Sequence, residues 1–171
     1  LPIFDESIEK NIVLTAMQVQ GKFLTKFFAG VNFADSGKIR GHATKLIEEL
    51  DIRCTGPEQL VRRLSGGNQQ KVCIARAITL EPDLLFVSEP TRGIDVGAKK
   101  IVLDLLLKLN QELGMTIVMT SSELAELRSI CDRIAIIYDG KLEGILPPDA
   151  DDTDFGLMMA GGHSDKAKEV S

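Results

Sequence analysis

One stretch constrains the fold more than any other: a glycine-rich helix opening, a breaker, and a short apolar run that ends in an acid. Leu64-Ser65-Gly66-Gly67-Asn68-Gln69-Gln70-Lys71-Val72 opens on a serine and two glycines and continues as a helix through Ala75-Arg76-Ala77-Ile78. Pro82-Asp83 breaks it, and Leu84-Leu85-Phe86-Val87 reads as a buried strand that delivers Ser88 and Glu89 at its carboxyl end. Thr91-Arg92-Gly93 turns the chain into a helix over 98–113, closed by Gly114, and Met115 to Thr120 reads as a second strand buried on both faces. Strands alternating with helices imply an α/β fold with a mostly parallel sheet, and such sheets bind ligands beyond the carboxyl ends of their strands. Ser88-Glu89, Thr120-Ser121-Ser122 and the turn near Asp95 all fall at that edge.

The flanking segments fit around this unit. Ser7 is a candidate N-cap for a helix whose positions 8, 12 and 16 share one face. Gln20 to Ser36 reads as a variable helix and loop, and Ile39, Ala43, Leu46, Ile47 and Leu50 mark an amphipathic helix ended by Thr55-Gly56-Pro57. After the second strand, Ser121-Ser122-Glu123 starts a helix to about Ile130, with Glu123 placed for the helix dipole. Arg133 to Tyr138 is a third strand, turned by Asp139-Gly140 into an antiparallel hairpin with Leu142 to Leu146. Pro147-Pro148 is expected to end the fold. A short helix over 153–160 and a disordered tail from Gly161 follow. The expected divisions are a mainly helical part over 1–64, an α/β part over 65–148 and a tail over 149–171.

Composition excludes several function classes. The net charge is −5, with 25 acids against 20 bases, so no basic surface invites nucleic acid. No apolar run approaches the ~20 residues that span a bilayer. Cys54, Cys73 and Cys131 show no metal-ligand spacing and read as reduced thiols. His42 and His163 read as ordinary surface histidines. The abrupt apolar start, Leu1-Pro2-Ile3-Phe4, is expected of an excised part of a longer protein.

The residues at the sheet edge and helix opening can do specific chemistry. At a helix start the backbone N–H groups are unpaired and the dipole is positive, so Ser65, Gly66 and Gly67 can meet a phosphate; the plainer reading of Ser65 is an N-cap. Glu89, just after a strand, can polarise a water as general base, or be a capping or solvated acid. Asp95 also reads as a turn residue.

Three motifs in order and at matching spacing resemble those of ABC-type ATPases. Leu64 to Gln70 resembles the signature motif, Leu84 to Glu89 the Walker B strand, and Gly93-Ile94-Asp95-Val96-Gly97-Ala98-Lys99 the D-loop and the helix after it. The long signature and Pro90-Thr91-Arg92-Gly93-Ile94-Asp95 are most similar to the second ATPase half of the tandem ATPases that drive bacterial sugar importers. The resemblance covers the chain from near its start to about residue 145. It implies a P-loop NTPase-like partial domain with a helical subdomain that faces the membrane partner. It implies ATP and Mg²⁺ as cofactors and Ser65, Gly66, Gly67, Asn68, Gln69 and Asp95 as nucleotide-binding residues. Glu89 would be the catalytic glutamate, Ser122 would occupy the switch-loop position that contacts the γ-phosphate, and Ser88 would occupy the Mg²⁺ position.

Three departures qualify what the resemblance implies. Ser88 stands where the family carries aspartate, which weakens the Mg²⁺ position because that cation favours carboxylates and substrate phosphates. Ser122 stands where a histidine is usual, as is common in the second half of the sugar-importer type. No G-x-x-x-x-G-K-[ST] phosphate loop is present; Gly37-Lys38 lacks both the preceding glycine and the Ser/Thr. The expected reading is therefore part of the ATP-hydrolysing subunit of a bacterial sugar importer, peripheral on the cytoplasmic face of the membrane and inactive alone. Its partners would be another ATPase half or subunit, a transmembrane permease and, indirectly, a solute-binding protein, with no nucleic acid. The alternatives are a non-hydrolysing module docking on a transporter and a soluble ABC-type ATPase acting on nucleic acid or ribosomes.

Overall fold

The computed structural model describes residues 2–26 and 32–162. The chain divides into two compact units, Leu1–Val118 and Met119–Ser171.

The first unit opens with α1 (Ile8–Gln20). Ser7 caps it, its hydroxyl accepting the Lys10 N–H at 3.3 Å, and Gly21 closes it at a left-handed φ of 63°. Ile8, Ile12 and Ala16 form the buried face, as their spacing predicts. Asn11 shares that face and is 1% exposed. Its Oδ1 accepts the Ile3 N–H at 2.8 Å, and its Nδ2 donates to the carbonyls of Ile3 and Ser7, both at 2.9 Å. Arg76, on α3 (Gly66–Ile78), donates from Nε to the Asn11 carbonyl at 2.6 Å and from Nη2 to Asn11 Oδ1. This network ties α1 to α3.

After α1 the structure corrects one expectation. The described residues of 20–36 form an antiparallel pair, β1 (Leu24–Lys26) and β2 (Asn32–Ala34), with Thr25 opposite Phe33, where a helix and loop were expected. Three-residue strands are too short to display an alternating pattern. α2 (Ser36–Glu49) is capped by Asp35 and buries Ile39, Ala43 and Leu46 as expected. A 3₁₀ turn, Val61–Arg63, leads into α3. Lys71 lies on the buried face of α3 at 4% exposure, and its ammonium donates to the Asp51 carbonyl at 2.5 Å. It anchors α3 to the turn after α2.

A strand–helix–strand unit follows: β3 (Leu84–Ser88), α4 (Val96–Leu113) and β4 (Thr116–Thr120). β3 and β4 are hydrogen-bonded neighbours, and near their start the Thr116 N–H donates to the Asp83 carbonyl at 2.9 Å. α4 buries Val102, Leu103, Leu105, Leu106 and Leu109 and closes on Gly114 at φ 66°. Both strands were expected to be buried, and the structure corrects this too. Leu85 is 7% exposed, but Leu84 is 45%, Phe86 71% and Val118 43% exposed. Among the described residues the strands pair only two by two, in three separate sheets, and Leu84 and Phe86 share the more exposed face of β3. The α/β class stands; an apolar run specifies a strand, but only its neighbours decide whether both faces are covered.

The second unit holds α5 (Leu124–Ile130), β5 (Ile134–Tyr138), β6 (Lys141–Leu146) and α6 (Asp152–Met159). β5 and β6 form the expected antiparallel hairpin, with Tyr138 opposite Lys141. Asp139 and Gly140 take positive φ of 46° and 72°, which suits a tight two-residue turn. Pro147-Pro148 does not end the fold. α6 returns to bury Phe155 and Met158 against Ile134, Ile136 and Leu146. The Arg128 guanidinium lies 4.6 Å from the Phe155 ring centroid and donates to the Ala150 carbonyl at 2.6 Å. The expected disordered tail beyond Gly162, with His163, lies outside the described residues.

Candidate functional site

The start of α3 is built to present donors. Ser65 occupies the N-cap position with extended backbone, φ −63° and ψ 156°, yet its side chain makes no capping bond to the helix. Its oxygen instead accepts the Asn68 Nδ2–H at 2.8 Å, and Asn68 Oδ1 accepts the Arg53 N–H at 2.9 Å. With its oxygen held from inside, Ser65 keeps its own O–H to donate outward. The first-turn N–H groups of a helix have no intrahelical partner and sit at the positive end of its dipole. Gly66, which adds no side chain in front of them, is exposed with Ser65. Gln69 donates to the carbonyls of Leu64 at 3.0 Å and Val61 at 3.4 Å, bracing the turn before the helix. Asn68 and Gln69, expected beside the nucleotide, thus hold the loop that carries Ser65.

Asp95 lies close to this helix start. It is the N-cap of α4, where its Oδ1 accepts the Ala98 N–H at 3.0 Å. Gly66 and Gly67 pack toward Ile94 and Ala98 in the same turn. The structure therefore brings Ser65, Gly66, Gly67 and Asp95 together.

Ser88 and Glu89 sit at the carboxyl end of β3. Between them and α3 lies a cleft of about 450 Å³, lined on the helix side by Gln70, Cys73 and Ala77 and on the strand side by Ser88, Glu89 and Arg92. Glu89 has a φ of 47°, left-handed for a residue that is not glycine. It also precedes Pro90, where extended backbone is the norm. Backbone held in so sparse a region costs on the order of 1–3 kcal/mol and gathers at functional sites. The Arg92 N–H donates to the Glu89 carbonyl at 3.2 Å and closes the turn. Burial raises the Cys73 thiol above its ordinary pKa, so it stays protonated in the cleft.

Ser122 belongs to the second unit, in the turn between β4 and α5, and is exposed. The turn is fastened by a residue the sequence reading missed. Glu126 is 6% exposed and its Oε2 accepts the Ser121 O–H at 3.0 Å, while Ser121 Oγ accepts the Glu123 N–H at 3.0 Å. Glu123, expected to serve the helix dipole, is the N-cap residue and makes no side-chain capping bond; Glu126 is the acid in the first turn. An acid three residues into a helix after a serine pair was the available signal.

The donor set at the start of α3 suits an anion such as a phosphate: a hydroxyl and backbone N–H groups at a helix start. The end of β3 carries one hydroxyl, that of Ser88, and one carboxylate, that of Glu89. Among the described residues no group of three or more His, Cys, Asp or Glu could hold a metal ion. Among the described residues no helix is long and apolar enough to cross a membrane.

Comparison with known proteins gives the family and the fold. The family described as "ABC transporter" matches residues 5–92, just over half of the chain. The nucleoside import ATP-binding protein NupA of Lactococcus lactis is 45% identical over 132 residues, covering 77% of this chain and 26% of that protein. The ribose import ATP-binding protein RbsA of Caldanaerobacter subterraneus is 37% identical over 161 residues, covering 94% of this chain and 31% of that protein. The chain thus spans about a third or less of these curated relatives. Among solved structures, the ATP-binding cassette MJ0796 in its post-hydrolysis dimer with ADP and Pi aligns with a TM-score of 0.67 at 24% identity, over 88% of this chain and 60% of that one. MJ1267, an ATP-binding cassette of an ABC transporter, aligns with a TM-score of 0.69 at 16% identity, over 98% of this chain and 63% of that one. Those two likenesses establish the P-loop ATPase fold, and the family match adds the rest: this chain belongs to the ABC transporter family.

Proposed function

We propose that the chain is part of the ATP-hydrolysing subunit of a bacterial ABC importer for a sugar, free or within a nucleoside. The observation that carries this reading is Ser65, held by Asn68 away from helix capping and exposed at the helix start. A serine that merely capped its helix would accept from the helix's own N–H groups. The ribose and nucleoside importers among the relatives supply the solute class.

In this reading the start of α3 faces the γ-phosphate of ATP held by another ATPase half or subunit. Its hydroxyl and N–H groups stabilise charge on the phosphate oxygens as the terminal bond breaks. Glu89 acts as general base, but Ser88 leaves its Mg²⁺ position short of a carboxylate; Ser122 holds the switch-loop position in its own unit. The site built on Ser65 to Gly67 then does most of the turnover. A permease and, through it, a solute-binding protein complete the importer, with the ATPase peripheral on the cytoplasmic face. The serine at 88 also favours a second reading, in which this part docks on the transporter and hydrolyses nothing itself.

Ser65→Ala in the complete ATPase tests the reading, because Ser65 is exposed and the change removes only the hydroxyl. The expected result is at least a tenfold fall in kcat/KM for ATP. An unchanged value sinks the proposal. For the 171-residue chain alone, calorimetric titration with Mg-ATP is expected to show no binding. Tight Mg²⁺-dependent binding there would reveal a phosphate site of its own and overturn the expectation that it is inactive alone.

A further inference from the structure

Gly66 and Gly67 lie within α3, and neither has a positive φ. They are therefore not glycine for the sake of left-handed backbone. Glycines also weaken a helix, so propensity argues against two of them together. What both positions use is the missing Cβ. A Cβ on Gly67 would lie 2.8 Å from the Ala98 Cβ and 3.7 Å from the Ala98 Cα. One on Gly66 would lie 2.8 Å from Ile94 Cγ2. Carbon atoms rest about 3.5–4.0 Å apart, so either methyl would have to push the two segments apart. Gly67 is buried, which leaves its methyl no other direction.

Ala98 meets both motifs. Its Cβ faces Gly67, and its N–H holds Asp95 Oδ1 at 3.0 Å. A residue larger than alanine at 98, or larger than glycine at 67, changes the spacing between the exposed start of α3 and the Asp95 carboxylate.

We propose that Ala98 is a positioning residue that sets the distance between the nucleotide-facing start of α3 and Asp95. The small size of residue 67 is then demanded by Ala98, and not only by an approaching phosphate. The inference rests on the reading of Ser65 to Gly67 as the nucleotide-facing segment. Displacements on the order of 1 Å at such a segment can lower rates about 100-fold.

The test is a rescue. In the complete ATPase, Gly67→Ala is expected to lower kcat at least tenfold, and adding Ala98→Gly to restore it to within threefold of the Ala98→Gly single variant. A double variant as slow as Gly67→Ala overturns the proposal, because removing the Ala98 methyl gives no relief to a blocked phosphate. A double variant with its thermal midpoint restored but its kcat not restored also overturns it, since the contact is then packing alone. Should Gly67→Ala fail to fold, Ala98→Val adds bulk from the opposite side and is expected to lower kcat at least threefold; an unchanged kcat refutes the proposal. Ser65→Ala in parallel separates the two failures. If Ser65→Ala leaves ATP turnover intact, the nucleotide reading has failed; if it impairs turnover and the rescue does not work, only the role of Ala98 has.

Discussion

In the proposed reading the start of α3 and the end of β3 serve two different nucleotides, and the chain supports the two ends very differently. Around the helix start the bracing side chains find their partners in the same unit. Asn68 holds Ser65, Gln69 braces Leu64, and Lys71 and Arg76 fasten the helix to Asp51 and Asn11. The end of β3 stands on a strand with Leu84 and Phe86 largely exposed, and it holds Glu89 in left-handed backbone. A set of donors at a helix start can be completed by local packing. A carboxylate at a strand end takes its position from whatever flanks the strand, so it is only as well placed as the sheet around it.

The comparison is most exposed to attack at Asn11. If the helix start is rigid because α3 is anchored to α1, then Asn11→Ala should cost about 3–5 kcal/mol. It deletes the buried hydrogen bonds of the side chain and the acceptor of Arg76 Nη2, while the Asn11 carbonyl still accepts from Arg76 Nε. Urea unfolding of the chain measures this. A loss under about 1 kcal/mol would remove the basis of the contrast.

Turnover in the complete ATPase ranks the two ends directly. Gly66→Asp sets a carboxylate where a phosphate would approach and drives bulk into Ile94. At least a hundredfold loss of kcat is expected, about 2.7 kcal/mol. Glu89→Gln should lose less than tenfold, because Ser88 already weakens the site that Glu89 serves. The reverse ranking would make the β3 end the working site. Ser88→Asp sharpens the point by restoring the missing carboxylate. It is expected to raise Mg²⁺-dependent ATP affinity about tenfold, or about 1.4 kcal/mol. No change in affinity would mean that the serine is not what limits the metal position.

Much of this was legible in the sequence, and what was not has identifiable causes. The caps at Ser7 and Gly114, the α3 boundaries and the Asp139-Gly140 turn follow from local chemistry that one segment contains in full. Short-range signals fix the α3 start and the Asp95 turn one by one; that they meet is tertiary packing of Gly66 and Gly67 on Ile94 and Ala98, which no single segment shows. That Asn68 also links Ser65 to the Arg53 N–H was not legible, because Arg53 lies fifteen residues back along the chain. Ala98 was invisible because a small residue in a helix announces nothing until another backbone is seen against it. The exposure of Phe86 was misread because an apolar strand looks the same in sequence whether or not a neighbour covers it.

His42 gives a smaller effect, confined to the α3 side. Its Nε2 is 3.0 Å from Thr79 Oγ1, and that hydroxyl donates to the Ala75 carbonyl at 2.7 Å, so Nε2 carries the proton and donates. Burial, helped by Lys45 and Lys22, lowers its pKa in the fold below the ordinary 6.5. Above pH 6.5 the ring is neutral folded or unfolded, and the stability it allows is fully present. As pH falls below 6.5 the unfolded chain takes up a proton that the folded chain resists, so stability drops until pH passes the folded value. Denaturant midpoints between pH 7.5 and 5 should fall for this reason, and His42→Gln should flatten part of the slope. An identical slope in the variant would show that other groups carry it.

The smallest expected effect is the most direct check on the β3 side. Phe86→Ser in the 171-residue chain should change stability by no more than about 0.5 kcal/mol, since the ring is 71% exposed and little of it leaves water on folding. Leu106→Ala on α4, at 1% exposure, should by contrast cost about 2–5 kcal/mol. The same Phe86→Ser in the complete ATPase is the informative half of the experiment. If further chain covers β3 there, the substitution buries a hydroxyl in an apolar contact and should cost several kcal/mol, with loss of the Glu89 position and of turnover at that site. If it is as harmless there as in the short chain, β3 stays uncovered in the assembled protein. The contrast between the two ends is then one of construction rather than of missing neighbours.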